Sequence, residues 1–272
     1  MNPFPPHPEL DEPDEVDAYR MPLIDHLVEL RDRLVRILVV ALVGCVACFA
    51  FAEPIWHALV DPMNAALNES GRGTMAITEP LEGFITYLKV AALAGIGLSS
   101  PFIFYQIWAF IAPGLYPAEK KAILPLVFAS TLLFLGGASF GYFVIFDFAF
   151  PFFLDVTETL GDDIEAVLSI NAYLGLATKL LLAFGLSFQL PIGIYFLARV
   201  GLVDHIDLFN SFRYAVVAMF VVSAIITPPD ILSQCLMAGP LVLLYGVGII
   251  LAYFFSTKER DEDLEGSDPS DS

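Results

Sequence analysis

Charged residues, and basic residues in particular, are scarce in this sequence. Only 16% of the 272 residues are charged, whereas a water-soluble domain averages about 25%. The 13 lysines and arginines are outnumbered by 31 aspartates and glutamates, so the formal net charge is −18. This balance excludes the clustered basic surface by which proteins bind nucleic acid. Hydrophobic residues make up 57% of the chain and mean hydropathy is +0.71. We therefore predict an integral membrane protein.

Cysteine and histidine are also rare, at three and four residues. Cys45 and Cys48 would share one face of a helix, where they could pair or bind a metal. No further cysteine or histidine cluster joins them, so we favour their interpretation as small apolar residues. The sequence has no Gly-rich phosphate loop with its lysine, and Asp162-Asp163 has no further ligands near it. We expect no enzyme, no cofactor and no metal site.

Acidic residues are concentrated towards the two ends of the chain. The runs Glu9–Asp17 and Glu259–Asp271 are acidic and poor in aromatic residues. Such segments cannot bury enough apolar surface to offset the entropy lost on ordering, so we expect disordered tails at residues 1–20 and 256–272. The acidic, proline-rich start also argues against a cleavable signal peptide, which needs a basic segment before its apolar run. Residues 21–255 form the predicted membrane domain.

Apolar runs account for most of that domain. A spanning helix needs about 20 mostly apolar residues, and we predict an all-α polytopic protein with six transmembrane helices. Ser99-Ser100-Pro101 interrupts the second span, which must tilt, kink or break. The fifth span reaches only about 21 Å against a hydrocarbon core of about 30 Å. The last two segments therefore either span a locally thinned bilayer or form a re-entrant hairpin. The predicted spans are Leu34–Ala52, Phe84–Ala112, Leu124–Phe148, Ala172–Ala198, Tyr214–Thr227 and Ile231–Phe255.

The few basic residues indicate which way the spans run. If the N-terminus is cytoplasmic, Arg72 alone lies in an outer loop, while Lys89 and Lys179 fall within spans. The other basic residues then all face the cytoplasm, as the positive-inside rule requires. We therefore predict cytoplasmic N- and C-termini. By parity, the segment before Arg31 and the loop that contains Glu119 lie on the same cytoplasmic face.

Two segments on that face combine charged and aromatic residues. Residues 23–33 read LIDHLVELRDR, and residues 105–121 read YQIWAFIAPGLYPAEKK. From pattern alone, the first is typical of a charged interfacial helix that anchors a span. The aromatic residues of the second are typical of an interfacial belt, and Glu119 beside two lysines is typical of a solvated carboxylate.

These segments, with FGLSFQLPIGI at 184–194 and ITPPDILSQ at 226–234, resemble the signature segments of the TatC family. TatC proteins are the core receptor subunits of the twin-arginine protein translocase. The likeness runs from Met21 to Phe255, and the order and spacing of the segments also match. It implies a multi-pass protein of the cytoplasmic (inner) membrane that binds twin-arginine signal peptides of folded cargo. It also implies a multimeric complex with the single-span proteins TatA and TatB, driven by the proton-motive force.

The resemblance also implies roles for individual residues. Glu29 and Glu119 match the carboxylates that accept the arginine pair, Arg31 belongs to the same site, and Phe110 matches an aromatic residue at its edge. Carboxylates suit this task because they accept paired, charge-assisted hydrogen bonds from a guanidinium group. The expected supporting residues are His26, Arg33 and Lys120.

Polar residues inside the spans are candidates for function because a polar group in hydrocarbon is costly. Gln189 lies mid-span where many relatives have Glu, so we expect a hydrogen-bonding or water-holding role rather than a proton-carrying one. Lys179 either snorkels outward along its stem or pairs with an outer-loop carboxylate. Asp230, at the outer turn, either caps the helix from Ile231 onward or organises a partner.

The fifth segment is the predicted docking site for the single-span partner. Small alanine and serine residues between its larger side chains permit close helix approach in lipid. The apolar face of this segment is predicted to expose Val216, Val217, Met219, Phe220 and Val221.

A proton-coupled secondary transporter of a small solute is the main alternative function. Interruptions in the second and fourth spans favour it, because transporters build binding sites from discontinuous helices. The absence of an internal repeat and the shortage of charge deep in the spans argue against it. Binding of a twin-arginine peptide, but not of its twin-lysine counterpart, would distinguish a translocase receptor from a transporter.

Overall fold

The computed structural model describes residues 23–71, 73–111, 123–158, 167–227 and 231–265. Within these ranges the chain forms ten α-helices, one π-helical segment and two short strands. In chain order they are α1 (Leu23–Phe49), α2 (Ala52–Ser70), β1 (Thr74–Ala76), α3 (Glu82–Ile111), α4 (Ile123–Phe140), the π-helical segment (Gly141–Ile145), α5 (Phe146–Glu158), β2 (Val167–Ser169), α6 (Ile170–Ser187), α7 (Leu190–Arg199), α8 (His205–Asn210), α9 (Phe212–Ile226) and α10 (Ile231–Glu265).

Four stretches of helix are long and apolar enough to cross a membrane, judged by length and composition. The bent pair of α1 and α2, which meet at 85°, adds a fifth if it is one span, whereas α9 is apolar but shorter. A mostly helical multi-pass membrane protein is therefore confirmed, with four to five candidate spans in the described part of the chain. The sixth span stays a prediction. The four are Glu82–Ile111, Ile123–Val156, Ile170–Arg199 and Ser233–Phe255.

A small parallel ladder departs from the predicted all-α fold. Strand β1 pairs with β2, with Met75 opposite Leu168. The ladder joins the segment before α3 to the segment before α6. Three residues a strand are too few to show a two-residue hydrophobic period, so the sequence pattern did not indicate it.

The first helix begins earlier than the predicted span. Its amphipathic flank is continuous with the apolar run, so α1 extends from Leu23 to Phe49. Glu29 lies four residues before Arg33, so the two opposite charges are neighbours on one face of α1 and stabilise the helix. The chain then turns sharply into α2, which ends at Ser70 and is followed by the capping residue Gly71, with a left-handed φ of 64°. Glycine adopts this conformation without a Cβ penalty.

Proline inside α2 is accommodated by two tyrosines from other segments. Pro62 has no N–H to donate to the carbonyl of Ala58, four residues earlier. The hydroxyl of Tyr142 donates to that carbonyl at 2.6 Å, and the hydroxyl of Tyr173 donates to the carbonyl of Leu59 at 2.5 Å. Tyr142 thus satisfies the carbonyl that Pro62 leaves without a donor, and the two tyrosines together anchor α2 to the π-helical segment and to α6.

The predicted interruption at Ser99-Ser100-Pro101 does not break α3, which is one helix from Glu82 to Ile111. Pro101 leaves the carbonyl of Gly97 without its helical donor. The Ser100 hydroxyl donates to that carbonyl at 2.7 Å and replaces the lost bond. Ser100 thus satisfies the backbone that Pro101 leaves open within a span, whereas the Ser99 hydroxyl donates to the carbonyl of Val40 on α1 at 3.2 Å.

Helices α1 and α3 pack antiparallel along much of their length. The contacts run from Phe49 with Phe84 at one end to Arg33 with Gln106 at the other. Between them, a Cβ atom built on Gly95 would lie 2.5 Å from the backbone nitrogen of Cys45. Only glycine permits this approach, because the neighbour is backbone and cannot move aside.

The candidate spans Ile123–Val156 and Ile170–Arg199 each contain an irregularity. The π-helical segment connects α4 to α5 without interrupting the first of them. In the second, the regular helix is interrupted at Phe188 and Gln189, between α6 and α7. Pro191 lies in the first turn of α7, where its missing N–H is not needed.

Polar side chains join α9 to α10. The Ser223 hydroxyl donates to the carbonyl of Gln234 at 2.8 Å, and Nε2 of Gln234 donates to the carbonyl of Phe220 at 3.0 Å. The backbone of α10 continues from Phe255 to Glu265, ten residues into the segment predicted to be disordered. Extending an existing helix is far easier than nucleating one, and this segment is rich in helix-forming residues.

Candidate functional site

Four predicted site residues meet where the start of α1 lies beside the end of α3. Glu29 and Arg33 project from the same face of α1, since they are four residues apart. The ring of His26 stacks on that of Phe110, with centroids 4.3 Å apart and planes 18° apart. The family resemblance grouped these residues in one site, but their individual contacts could not be deduced because the two helices belong to different signature segments.

The Glu29 carboxylate holds a guanidinium group from its own helix. Arg33 donates to Oε1 of Glu29 from Nε at 2.8 Å and from Nη2 at 2.5 Å. Both side chains are about one-fifth exposed, at 23% for Glu29 and 19% for Arg33. Partial burial reduces screening by water, so this ion pair interacts more strongly than a fully exposed one.

Gln106 extends this ion pair to α3. Its Oε1 accepts a hydrogen bond at 3.0 Å from Nη1 of Arg33, and the residue is 4% exposed. Sequence reasoning missed Gln106, although it lies four residues before Phe110 and therefore on the same face of a helix. That spacing was the available signal.

Arg31 does not join this cluster. Its side chain is 71% exposed and donates from Nε and Nη2 to Oδ1 of Asp32 at 3.0 and 2.8 Å. Helix geometry explains the separation, because residues two positions apart lie on different sides of an α-helix. Arg31 and Arg33 thus have different environments despite their proximity in sequence.

A shallow groove of about 460 Å³ runs along this part of α1. Its lining combines acidic and basic residues, and the acidic ones are suited to a ligand that carries guanidinium groups. The lining residues are Asp25, Val28, Glu29, Asp32, Arg33 and Arg36. Three further predicted site residues, Glu119, Lys120 and Asp230, lie outside the described residues.

Gln189 lies at the junction of α6 and α7. Its Nε2 donates to the carbonyl of Ser130 on α4 at 3.1 Å and to that of Gly185 at 3.5 Å. Nε1 of Trp108 donates to the Ser130 hydroxyl at 2.9 Å, so Ser130 connects α3, α4 and the α6–α7 junction. Lys179 is exposed on α6 and forms no salt bridge with a described residue.

Metal binding finds no support in the described part of the chain. No group of three or more His, Cys, Asp or Glu side chains there could hold a metal ion. Cys45, Cys48 and Cys235 are free thiols.

The comparisons with known proteins agree with this architecture. The profile of the family described as Sec-independent protein translocase protein (TatC) matches residues 25–240. The chain belongs to the TatC family. A relative from Desulforapulum autotrophicum, named Sec-independent protein translocase protein TatC, is 43% identical over 252 residues, 93% of this chain and 92% of that protein. A relative of the same name from Helicobacter pylori is 42% identical over 239 residues, 88% of this chain and 91% of that protein.

A solved structure of the TatC family has the same fold. The crystal structure described as the twin-arginine translocase receptor TatC is 37% identical in sequence and has a TM-score of 0.74. The match covers 84% of this chain and 97% of that chain. As a TatC-family protein, the chain is a membrane component of Sec-independent protein transport, and its family is one of translocase receptors rather than of enzymes. The family match favours this function over the solute-transporter alternative.

Proposed function

We propose that this TatC-family protein binds twin-arginine signal peptides where the start of α1 lies beside the end of α3. The observation that carries the proposal is the pairing of Glu29 with the guanidinium of Arg33. A carboxylate that already accepts two N–H donors from one guanidinium is in a suitable environment to accept a second. The two donors share Oε1, and Oε2 accepts no hydrogen bond from a described residue.

Glu119 is the proposed second acceptor. It follows the end of α3 by eight residues, and α3 ends beside the start of α1. Arg31 and Lys120 are close in sequence to Glu29 and Glu119. Their positive charges would repel the arginines of the peptide, so we propose that they serve to orient the two carboxylates. Phe110, stacked on His26, would then border the path of the peptide's apolar segment.

The proposed orientation places this site in the cytoplasm. Basic residues concentrate on the side of the chain termini, and that asymmetry supports six spans with both termini inside, in the inner membrane of the cell. Single cysteines in intact cells test the orientation. Labelling of position 118 by an impermeant reagent added outside would reverse it.

We further propose that α9 docks a single-span partner such as TatA or TatB. An apolar groove of about 710 Å³ lies between the π-helical segment, α9 and α10, and Val216 and Phe220 help to line it. Val217 and Val221 are exposed, but Met219 is 8% exposed and packs inward, so its predicted exposure is wrong.

Crosslinkers along α9 should capture a small membrane protein. Capture from α4 instead would move the interface.

Peptide affinity tests the proposed function directly. The full chain, purified in detergent, would be titrated with a labelled signal peptide carrying two consecutive arginines and with the same peptide carrying two lysines. Lysine lacks the flat fork of donors, so the twin-lysine peptide should bind at least about tenfold more weakly, a difference of about 1.4 kcal/mol. Equal affinity for both peptides would contradict the proposal.

A further inference from the structure

Gln106 is a buried polar residue that the proposed site does not yet use. It is 4% exposed, and a buried amide is costly unless it makes hydrogen bonds. Its Oε1 accepts from Nη1 of Arg33, on the neighbouring helix. The bond joins residues 73 positions apart in sequence, so it depends on how α1 and α3 pack.

The guanidinium of Arg33 is held from two sides. Nε and Nη2 form one edge of its plane and bind Oε1 of Glu29, while Nη1 binds Gln106. A planar group fixed at three nitrogens has almost no rotational freedom. Arg33 therefore holds Oε1 of Glu29 in one place, and the carboxylate presents Oε2 in a defined direction.

We propose that Gln106 is a positioning residue for arginine recognition, acting through Arg33 to fix the Glu29 carboxylate. This inference rests on the proposed function, because it concerns how the same carboxylate receives the peptide. An ionised carboxylate has about four lone-pair sites, and Arg33 uses those of Oε1. The peptide arginine then binds at Oε2 without displacing Arg33.

A different arrangement makes the opposite prediction. If Arg33 merely occupied the place of the peptide arginine, it would be a competitor, and its removal would tighten binding. The contact with Gln106 favours a positioning role, since it retains Arg33 beside Glu29 by a bond that the peptide does not need to break. The burial of most of the Arg33 side chain has the same consequence, because a largely buried cation without partners is costly.

The test is a double-substitution cycle on the full chain in detergent. Gln106→Met keeps the length of the side chain but removes the acceptor, and Arg33→Gln removes the guanidinium. Each single variant, and the two combined, would be titrated to saturation with the twin-arginine and twin-lysine peptides. Saturation gives the fraction of competent receptor, so the Kd refers to folded protein alone. Gln234→Met, the same change in α10, is the matched control.

Each single substitution should weaken binding of the twin-arginine peptide about fivefold to tenfold. This loss is smaller than that expected for removing a direct charge-assisted hydrogen bond to the peptide, because both residues act through Glu29 and the bond from the peptide to Glu29 is kept. The preference for arginine over lysine should fall as well. The combined variant should bind no more weakly than Arg33→Gln, because Gln106 acts through Arg33. Gln106→Glu, which restores an acceptor of the same length, should bind within about threefold of the unsubstituted chain. A purely structural role would change the competent fraction but neither the Kd nor the preference.

Three results would overturn the inference. They are tighter binding by either single variant, losses that add in the combined variant, and an unchanged Kd for both single variants. Arg33→Lys takes the place of Arg33→Gln if the latter does not fold, since lysine cannot hold both partners in one plane. Failure of the unsubstituted chain to bind the twin-arginine peptide would instead overturn the proposed function.

Discussion

Glu29 and Glu82 lie near opposite ends of the α1–α3 pair and differ in every respect that decides what a carboxylate does. Glu82 is the first residue of α3. Gln106, which contacts the same Arg33 side chain as Glu29, lies about 36 Å further along that helix. Glu82 is 2% exposed, whereas the side chain of Glu29 is 23% exposed. Both residues are single glutamates near an apolar run, so composition does not distinguish them.

The hydrogen bonds of Glu82 are saturated. Oε2 accepts from the backbone and hydroxyl of Thr78 and from the backbone of Glu79, at 2.5, 3.0 and 3.1 Å. Oε1 accepts from the Ser169 hydroxyl at 2.8 Å and from the backbone of Asn171 at 2.5 Å. These donors come from the segments that carry β1 and β2, so Glu82 ties the two strands to the start of α3.

Glu29, by contrast, accepts through one oxygen only among the described residues. A saturated, buried carboxylate has no capacity for a ligand and serves the fold. A carboxylate that is about one-fifth exposed, with a positioned partner on one oxygen and no described donor on the other, has capacity for a further donor. Unused acceptor capacity, rather than charge alone, therefore distinguishes Glu29 from Glu82 as a candidate for binding.

Removing the Glu82 carboxylate should have the largest effect. Glu82→Ala leaves the backbone N–H groups of Thr78, Glu79 and Asn171 without their acceptor, and each orphaned donor costs about 1–3 kcal/mol. We expect a loss of about 3–5 kcal/mol in the free energy of unfolding, measured as a fall in the thermal unfolding midpoint in detergent. The folded fraction should bind the twin-arginine peptide with an unchanged Kd.

Glu79→Ala is the matched control for Glu82→Ala. The side chain of Glu79 is exposed, and its hydrogen bonds with Glu82 are made by backbone atoms of Glu79, which the substitution keeps. The unfolding midpoint of this variant should stay within about 1 °C, because surface substitutions change stability little. A Glu82→Ala variant that unfolds like the unsubstituted chain would break the distinction between the two carboxylates.

Glu29→Gln should have the reverse profile, with weaker binding and little loss of stability. Hydrogen bonds to charged groups contribute roughly 1.5–3 kcal/mol each, so peptide affinity should fall by about one to two orders of magnitude. Glu119→Gln should do the same, and the double variant should lose most of the preference for arginine. The measurement is peptide affinity at two salt concentrations, since salt screens exposed ion pairs.

Glu69→Gln, at the exposed end of α2, is the control for these substitutions. Wild-type affinity in both single variants, with no dependence on salt, would mean that the carboxylates do not hold the arginine pair. Recognition would then rest on the apolar part of the signal peptide.

The sequence was sufficient for the membrane class, the family and most helix positions, because apolar runs and signature segments are local features. The family resemblance put Arg31 in the site and Arg33 in a supporting role, whereas only the packing of α1 against α3 shows that Arg33 is the arginine that meets Gln106. It also missed the fully buried Glu82, whose partners come from two distant segments. The proline at position 101 does not break the second span, because Ser100 replaces the hydrogen bond that Pro101 removes. The roles of these residues therefore depend on contacts with residues far away in sequence, which local sequence patterns do not reveal.

Substitution of Gly95 tests whether the contacts at the ends of the α1–α3 pair depend on close packing in its middle. A methyl group there would lie 2.5 Å from the backbone of Cys45, so Gly95→Ala should push α1 away from α3 at a cost of about 2 kcal/mol. The thermal midpoint should fall, and peptide affinity should fall too, because the contact between Arg33 and Gln106 requires close helices. Gly136→Ala, with no atom within 4 Å of the added methyl, is the control. Loss of stability without loss of affinity would show that the site is independent of this packing.

Gln189 is a third kind of polar residue, and its substitution should have the smallest effect on stability. Its amide donates to the carbonyls of Ser130 and Gly185, so it is neither saturated like Glu82 nor paired with a charge like Glu29. Hydrogen bonds between helices in membranes contribute about 0.6 kcal/mol on average, and Gln189→Leu should therefore fold almost normally.

Because Gln189 lies at the α6–α7 junction and not at the α1–α3 site, Gln189→Leu should leave peptide affinity within about twofold while lowering the rate of cargo transport more. The reason is that a polar group inside the bilayer can hold water or a helix contact during transport, and leucine can do neither. Gln189→Glu, which keeps polarity and length, should transport better than Gln189→Leu. The measurement pairs peptide titration in detergent with export of a folded reporter from cells. Equal loss of binding and transport in Gln189→Leu would instead assign the residue to the fold or to the peptide site, and the α6–α7 junction would then have no separate part in transport.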